Sequence, residues 1–151
     1  MYTTPHRMMK NISRAIIDYF GEGYRTYCEK IEQGLNEPCF LITIINNAIN
    51  YSASSYYKVN MSVMVQYIEN DVERAKLDEI EVGLFECLEN IKDIKYGTVF
   101  ASKNKQSSVT IEENILNFSL EFEFFLRRQE AKDYMEGFEN HINIKEVDIN
   151  E

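Results

Sequence analysis

The sequence predicts an α+β fold, in which a mostly antiparallel β-sheet carries two main helices on one face and forms a two-layer sandwich. Two segments, one near the start and one in the middle of the chain, repeat apolar residues at helical spacing. Two others, residues 57–67 and 116–126, alternate apolar and polar residues as strands do. The 151 residues suffice for one domain, which we place at residues 1–128. Residues 129–151 form an acidic extension, either a short helix or a flexible tail.

The two predicted helices differ in how they begin. Thr4 can cap the first helix and Pro5 suits its first position. Its apolar residues recur until Gly21 ends it: Met8, Ile12, Ala15, Ile16 and Tyr19. For the second helix, Asn70 and Glu73 resemble a capping box. The apolar stripe that follows consists of Leu77, Ile80, Leu84, Cys87, Leu88 and Ile91.

The first half of the predicted sheet contains a short strand, a long apolar strand and an alternating strand. Residues 24–29 form the short strand, and residues 39–45 are apolar on both faces, as in a strand that is covered on both sides or paired centrally. Residues 46–55 are polar and small, which predicts a loop. Residues 57–67 then form a strand with one buried face and one solvent-exposed face.

The second half of the sheet contains the strongest strand pattern. A short strand follows Gly97, and residues 102–108, "SKNKQSS", predict a turn. Glu113 and Asn114 suit a tight turn before the last strand. The inward face of that strand consists of Leu116, Phe118, Leu120, Phe122, Phe124 and Leu126.

Charge and hydropathy exclude two classes of function. The net charge of −9 and the pI near 4.8 oppose nucleic-acid binding, which requires a basic face to bind phosphates. The longest apolar run is the size of a strand, far below the roughly 18 residues of a membrane helix. The first residues lack the apolar centre of a signal peptide. We therefore expect a soluble, cytoplasmic protein without membrane or specific nucleic-acid contacts.

The sequence contains no catalytic, cofactor or metal motif. Cys28, Cys39 and Cys87 are odd in number and lack a C-x-x-C pair, so we expect reduced and mostly buried thiols. His6 and His141 lie in no recognisable catalytic setting. The carboxylates between residues 29 and 37 could form an acid–base pair, but a solvated turn is the favoured interpretation in a chain with 25 acidic residues. We predict that the protein is not an enzyme and needs no cofactor.

Four segments carry a resemblance to a known family. They are "YCEKIEQGLNEPCFLI", the tyrosine-bearing strand at residues 57–67, the helix ending in "LFECLENI", and "ILNFSLEFEFFLRR". In this order they resemble the phage tail terminator family of Gram-positive prophages and tail-like particles. The similarity covers about residues 10–130, and its sharpest motif is residues 32–40.

The resemblance implies a structural role in the virion. Such a protein forms a six-membered ring on the last ring of the tail tube, stops tube polymerisation and presents a surface for the head connector. Its partners would be itself, the tail tube protein, and also the sheath protein and head connector, and it would be a monomer or a ring when free. It would be assembled in the bacterial cytoplasm and lie at the head-proximal end of the tail, where DNA passes through the ring.

The segment before the long apolar strand is the predicted contact site. Gly34, with a positive φ, and Pro38 would shape an exposed acidic turn at one edge of the sheet. We predict that this turn contacts a neighbouring subunit or the tube, although a simple strand connector would have the same sequence features. The predicted contact turn comprises Glu32, Gln33, Gly34, Leu35, Glu37 and Pro38.

Two alternatives remain open at the level of sequence. One is another head–tail connector or neck completion protein. The other is a small-ligand-binding or enzymatic α+β domain, which a pocket lined by converging polar groups would favour.

Overall fold

The structure is a computed structural model that describes residues 4–29, 34–53, 55–110 and 112–127. Within these ranges it has two helices and six strands. The helices are α1 (Pro5–Phe20) and α2 (Arg74–Cys87). The strands are β1 (Arg25–Cys28), β2 (Cys39–Ala53), β3 (Tyr56–Ile68), β4 (Asn90–Lys92), β5 (Val99–Thr110) and β6 (Ile115–Arg127).

Helix α1 begins and ends as predicted. The Thr4 hydroxyl accepts a hydrogen bond from the backbone N–H of Arg7 at 3.2 Å, and Pro5 occupies the first turn. The helix ends at Gly21, which adopts a φ of 94° that side-chain-bearing residues avoid. Its buried face contains Met8, Ile12 and Ile16, whereas Tyr19 is exposed, contrary to the predicted stripe.

Helix α2 begins three residues later than the predicted capping box would place it. Its N-cap is Glu73, and no side chain caps it, so the role assigned to Asn70 was wrong. Asp71 has a φ of 54°, so the chain is still turning after Asn70 and cannot yet be helical. The stripe was correct for Leu77, Ile80 and Leu84, which are buried. Its last predicted residue, Ile91, lies instead in β4.

The six strands form one sheet in the order β1-β2-β3-β6-β5-β4. All neighbouring pairs are antiparallel except β1 and β2, which run parallel with Arg25 opposite Cys39. The α+β class and the mostly antiparallel sheet are thus confirmed. The buried residues of both helices join the inward side chains of the sheet in one core cluster.

Two predicted irregular segments are strands in the structure. Strand β2 continues to Ala53 and pairs with β3 through most of residues 46–53, so the predicted loop was wrong there. Residues 102–108 lie within β5, where the predicted turn is only a break in register between Lys103 and Gln106. Asn104 takes a φ of 54° at that bulge. In both cases cross-strand pairing outweighs the weak strand propensity of asparagine and serine.

The buried face of the sheet was predicted correctly for its two central strands. The tight turn before β6 is also present, with Asn114 at a φ of 53°. For β2, the alternative of central pairing is confirmed at Cys39–Ile42, which pair with both β1 and β3, whereas the other face is not covered: Leu41 and Thr43 are only half-buried and Ile45 is exposed. The fully buried inward residues of β3 and β6 are Val59, Met61, Val63, Val65, Tyr67, Leu116, Phe118, Leu120, Phe122 and Phe124.

The two helices approach each other closely at Gly83. A Cβ built on this residue would lie 2.7 Å from Cζ of Phe20 and 2.9 Å from Cε1 of Tyr19. The Phe20 ring is itself packed between Tyr24 and Phe40, at centroid distances of 5.8 and 5.0 Å. Gly83 therefore lets the end of α1 pack against α2 where a larger residue would collide.

Candidate assembly interface

The predicted contact turn is described only in part. Glu32 and Gln33 lie outside the described residues. Gly34 and Glu37 are exposed, whereas Leu35 and Pro38 are half-buried. The described part leads directly into β2, and Glu37–Pro38 is a cis peptide bond.

Hydrogen bonds hold the described part of this segment, and the last described residue before it, to the sheet edge. The N–H of Arg25 donates to the carbonyl of Pro38 at 3.4 Å, and the N–H of Asn36 donates to the Tyr27 hydroxyl at 3.2 Å. At the other end, Glu29 N–H donates to the Ile42 carbonyl at 2.7 Å. The segment is therefore tied to the outer edge strand β1.

The conformation predicted for Gly34 was wrong. Its φ lies outside the positive range, and a Cβ built on it would meet no atom within 4 Å. The left-handed residue near this segment is Glu29, with a φ of 63°. Glycine is therefore not required at position 34 by backbone strain or close packing.

The cysteines do not form a reactive site. Cys39 is buried and Cys87 half-buried, but Cys28 is exposed, so the expectation of mostly buried thiols fails for Cys28. Partial removal from water raises the pKa of Cys28, and burial raises the pKa of Cys39 and raises that of Cys87 to about 12. All three thiols are therefore protonated at neutral pH and poor nucleophiles. Among the described residues, no cluster of histidine, cysteine and carboxylate side chains could hold a metal.

A second surface near the contact turn is the outer part of β2. β1 pairs only with Cys39–Ile42, and no other described strand pairs with that side of β2 beyond Ile42. Three apolar side chains here are exposed by 53, 54 and 70%. We call them the strand patch: Ile45, Ile49 and Tyr51.

Tyr51 packs against its cross-strand neighbour Tyr57, with ring centroids 5.1 Å apart. This contact holds the outer part of the strand patch in a defined conformation. The sequence had indicated that the tyrosines serve the core or an interface. It did not identify Ile49, because its segment was predicted to be a loop, and it placed Ile45 at the end of the apolar strand. Unpaired strand edges with apolar residues are a usual site of protein association.

A buried polar network fixes the connection between β4 and β5. Asp93 accepts hydrogen bonds from the side chains of Asn11, at 2.8 Å, and Arg7, at 3.1 Å. Its other carboxylate oxygen accepts from the backbone N–H groups of Lys95 and Tyr96 at 3.2 and 2.8 Å. Asn11 in turn accepts from the N–H of Ile94 at 3.0 Å. The network ties α1 to the connection.

The charge of Asp93 is stabilised where it is buried. Burial alone would raise the pKa of Asp93, but the hydrogen bonds from Asn11, the Tyr96 backbone and Arg7, together with the Arg7 charge, lower it to about 2. The carboxylate is thus ionised, and both of its oxygens accept hydrogen bonds. This is typical of a structural network and not of a general acid or base. The sequence analysis did not identify Asp93, although the run Asp93 to Gly97 is typical of a turn.

The connection itself exposes a second apolar surface. Two side chains on the connection are exposed by 55 and 43%, and the first side chain of β5 is exposed by 61%. The Arg7 guanidinium lies over the Tyr96 ring, 4.9 Å from its centroid, and the network above holds the backbone. We call these three residues the connection patch: Ile94, Tyr96 and Val99.

The hydroxyl of Tyr67, near the core, also has a hydrogen-bond partner. Tyr67 donates a hydrogen bond to Glu69, which forms an ion pair with Lys76 at 3.0 Å. Burial, followed by this contact with Glu69, raises the pKa of Tyr67. The hydrogen bond from Tyr67 and the Lys76 charge lower the pKa of Glu69. These contacts join the end of β3 to the start of α2.

Comparison with known proteins identifies the family. The sequence profile described as "Phage tail terminator protein" matches residues 7–134, a range that contains every described strand and nearly all of α1. No curated protein matches the chain. In the described ranges no helix is long and apolar enough to cross a membrane. The match covers most of the chain, and the chain therefore belongs to the phage tail terminator family.

Proposed function

We propose that this protein ends the phage tail tube: it forms a six-membered ring on the last tube ring, stops tube polymerisation and presents the surface to which the head or neck attaches. The observation that supports this most strongly is the family match over residues 7–134. The family is one of structural tail proteins, and the engaged polar groups described above are consistent with a role that involves no catalysis.

The physical task explains why such a protein is needed. A tube that grows by head-to-tail addition has no intrinsic end, because every added ring offers the same surface again. A cap must bind that surface on one side and present a different one on the other. Within this function, the contact turn at residues 32–38 is our candidate for contact with the tube or a neighbouring subunit.

The proposed partners and location follow from this role. The partners are further copies of the chain, the tail tube protein, the head connector and, in a contractile tail, the sheath protein. The protein would lie at the head-proximal end of the tail, after assembly in the bacterial cytoplasm, and DNA would pass through the ring. We treat residues 1–128 as the assembly domain and assign no partner to residues 129–151.

Deletion of the gene tests the proposal. Electron microscopy of particles made without the protein should show tubes of irregular, often excessive length and few joined heads. Expression of the protein from a plasmid should restore a uniform length and head joining. Tails of normal length that still lack heads would favour a neck or connector protein instead. Normal tails joined to heads would contradict both roles.

A further inference from the structure

Two exposed apolar patches lie on opposite lateral edges of the sheet. The strand patch lies on β2, next to the first strand of the sheet order, and the connection patch lies at β4 and β5, the last two strands. They are separated by β3 and β6, so neither patch can cover the other within one chain. In the part of the chain that the structure describes, each patch is exposed to water in a single subunit, which is unfavourable for apolar side chains.

The strand register places both patches at the same end of the sheet. Asn47 of β2 pairs with Met61, Met61 pairs with Phe122, and Phe122 pairs with Ser102 of β5. The residues of the strand patch flank Asn47 in sequence, and the residues of the connection patch precede Ser102. A rotation without a shift along the strands can therefore bring the strand patch of one copy to the connection patch of the next.

The charges of the chain favour the same two surfaces. Each copy has a net charge of −9, so two copies repel each other over most contacts. Residues 38–68, which contain the strand patch, include no aspartate or glutamate. Residues 90–111, which contain the connection patch, include only Asp93, and this residue is buried among hydrogen-bond donors. Lys92, Lys95 and Lys105 add positive charge there, and Lys103 forms an ion pair with Glu123. Contact through these edges avoids much of the repulsion.

We propose that the strand patch of one subunit binds the connection patch of a second copy of this chain, and that this heterologous contact builds the ring. The inference rests on the proposed function, which requires a ring, and it names the two surfaces that form the ring. The contact turn then remains available to the tube, because it lies beyond β1, where the patches do not extend.

The size of the patches predicts how assembly depends on concentration. A stable interface buries roughly 800 Å² on each partner, and three half-exposed side chains provide only part of that area. A single contact between two copies is therefore weak, whereas a closed ring satisfies every patch at once. Rings should form as the concentration rises or when a tube end serves as a template.

Three lysine variants test the contact. Ile49→Lys alters the strand patch, and Ile94→Lys alters the connection patch. Val82→Lys is the matched control, because Val82 is 56% exposed and lies on α2 outside both patches. Circular dichroism and thermal unfolding should show that all three fold as the unchanged protein does. In sedimentation velocity, the two patch variants should need at least about tenfold more protein to assemble, and Val82→Lys should behave as the unchanged protein.

Mixing the two patch variants distinguishes a heterologous contact from a symmetric one. In the mixture, Ile49→Lys has the intact connection patch and Ile94→Lys has the intact strand patch. Chemical cross-linking should therefore yield one-to-one dimers and no larger species. If either variant alone forms cross-linked dimers as well as the mixture does, the contact is symmetric and the proposal is wrong.

A disulfide trap tests proximity directly. In a Cys28→Ser background, which removes the exposed thiol, Ile49→Cys with Ile94→Cys should give on oxidation a ladder of linked chains, and each single cysteine variant should not. The proposal is overturned if the double variant gives no ladder while the protein assembles. Two further results would overturn it. One is that the unchanged protein never self-associates, even on isolated tubes. The other is that Ile94→Lys assembles normally, which would mean that a tube subunit rather than a second copy covers the strand patch. Tail length in the deletion strain is a separate measurement, so failure of this contact leaves the proposed function intact.

Discussion

The two parts of β2 both contain isoleucine but differ in their surroundings. Residues 39–42 lie between β1 and β3, and the Phe40 ring packs against Phe20 and Tyr67 at centroid distances of 5.0 Å each. Among the described strands, residues 43–53 have only β3 beside them, and Ile45 and Ile49 are exposed. Isoleucines in one strand thus serve the core at one end and an open edge at the other. The neighbouring strands, rather than the residue type, determine which role each isoleucine has.

The first prediction measures the largest difference between core and edge. Phe118→Ala should lower the free energy of unfolding by about 3–5 kcal/mol, because the ring is fully buried and its removal leaves a cavity beside Phe85. Ile49→Ala should change it by less than about 1 kcal/mol, since that side chain is already in contact with water. Urea unfolding of both variants provides the measurement. Equal losses would show that the edge is buried in the free protein.

The second prediction concerns Asp93, which supports the connection patch. Asp93→Ala should cost about 3 kcal/mol, because it leaves the Asn11 amide and the backbone donors of Lys95 and Tyr96 without their acceptor. Thermal or urea unfolding measures this loss. Because the network holds the connection, the variant should also assemble less well than Val82→Lys does at equal concentration.

The same carboxylate predicts an acid limit of stability. The folded-state pKa of Asp93 is about 2, below its ordinary value of 3.8, so its stabilisation is complete above about pH 4 and is lost as the pH falls towards 2. Urea unfolding between pH 5 and 2 should therefore show a steeper decline for the unchanged protein than for Asp93→Asn. Parallel curves would mean that Asp93 is not ionised in the native network.

The third prediction compares two glycines. Gly83→Ala should lower the free energy of unfolding by about 1–2 kcal/mol, because the collision with Phe20 and Tyr19 outweighs the gain in helix propensity. Gly34→Ala should leave it unchanged or raise it by less than about 1 kcal/mol, since no atom lies near and its φ is ordinary. Thermal unfolding of the pair checks this. A stabilised Gly83→Ala would show that the helices can separate at no cost.

The smallest effect is expected from the cysteines. Replacement of Cys28, Cys39 and Cys87 by alanine should leave head joining within about twofold of the unchanged protein, because their raised pKa values keep the thiols protonated and inert. Head joining by the purified triple variant provides the measurement. Loss of function in a variant with normal circular dichroism and cooperative unfolding would restore the hypothesis of a reactive thiol.

The sequence predicted the features that depend on local pattern. The cap at Thr4, the buried faces of β3 and β6 and the turn at Asn114 follow from spacing and residue type, and all are present. The second half of β2 and the middle of β5 were not predicted, because asparagine and serine have weak strand propensity and become extended only through pairing with distant strands.

The candidate surfaces were predicted less completely. The segment before β2 does lie at the sheet edge, but its Gly34 lacks the predicted conformation, and whether the segment makes a contact stays a prediction. The patches at Ile49 and Ile94 could not be predicted from the sequence alone. Their significance depends on register across four strands, which brings residues far apart in sequence to one end of the sheet.

In vitro completion of tails tests the central claim most directly. Uncapped tails from a strain that lacks the protein are mixed with filled heads, and joined particles are counted by electron microscopy with and without purified protein. If the protein ends the tube, its addition should restore joining, with an excess over the number of tube ends giving no further effect. No increase in joined particles at any protein concentration would contradict the account.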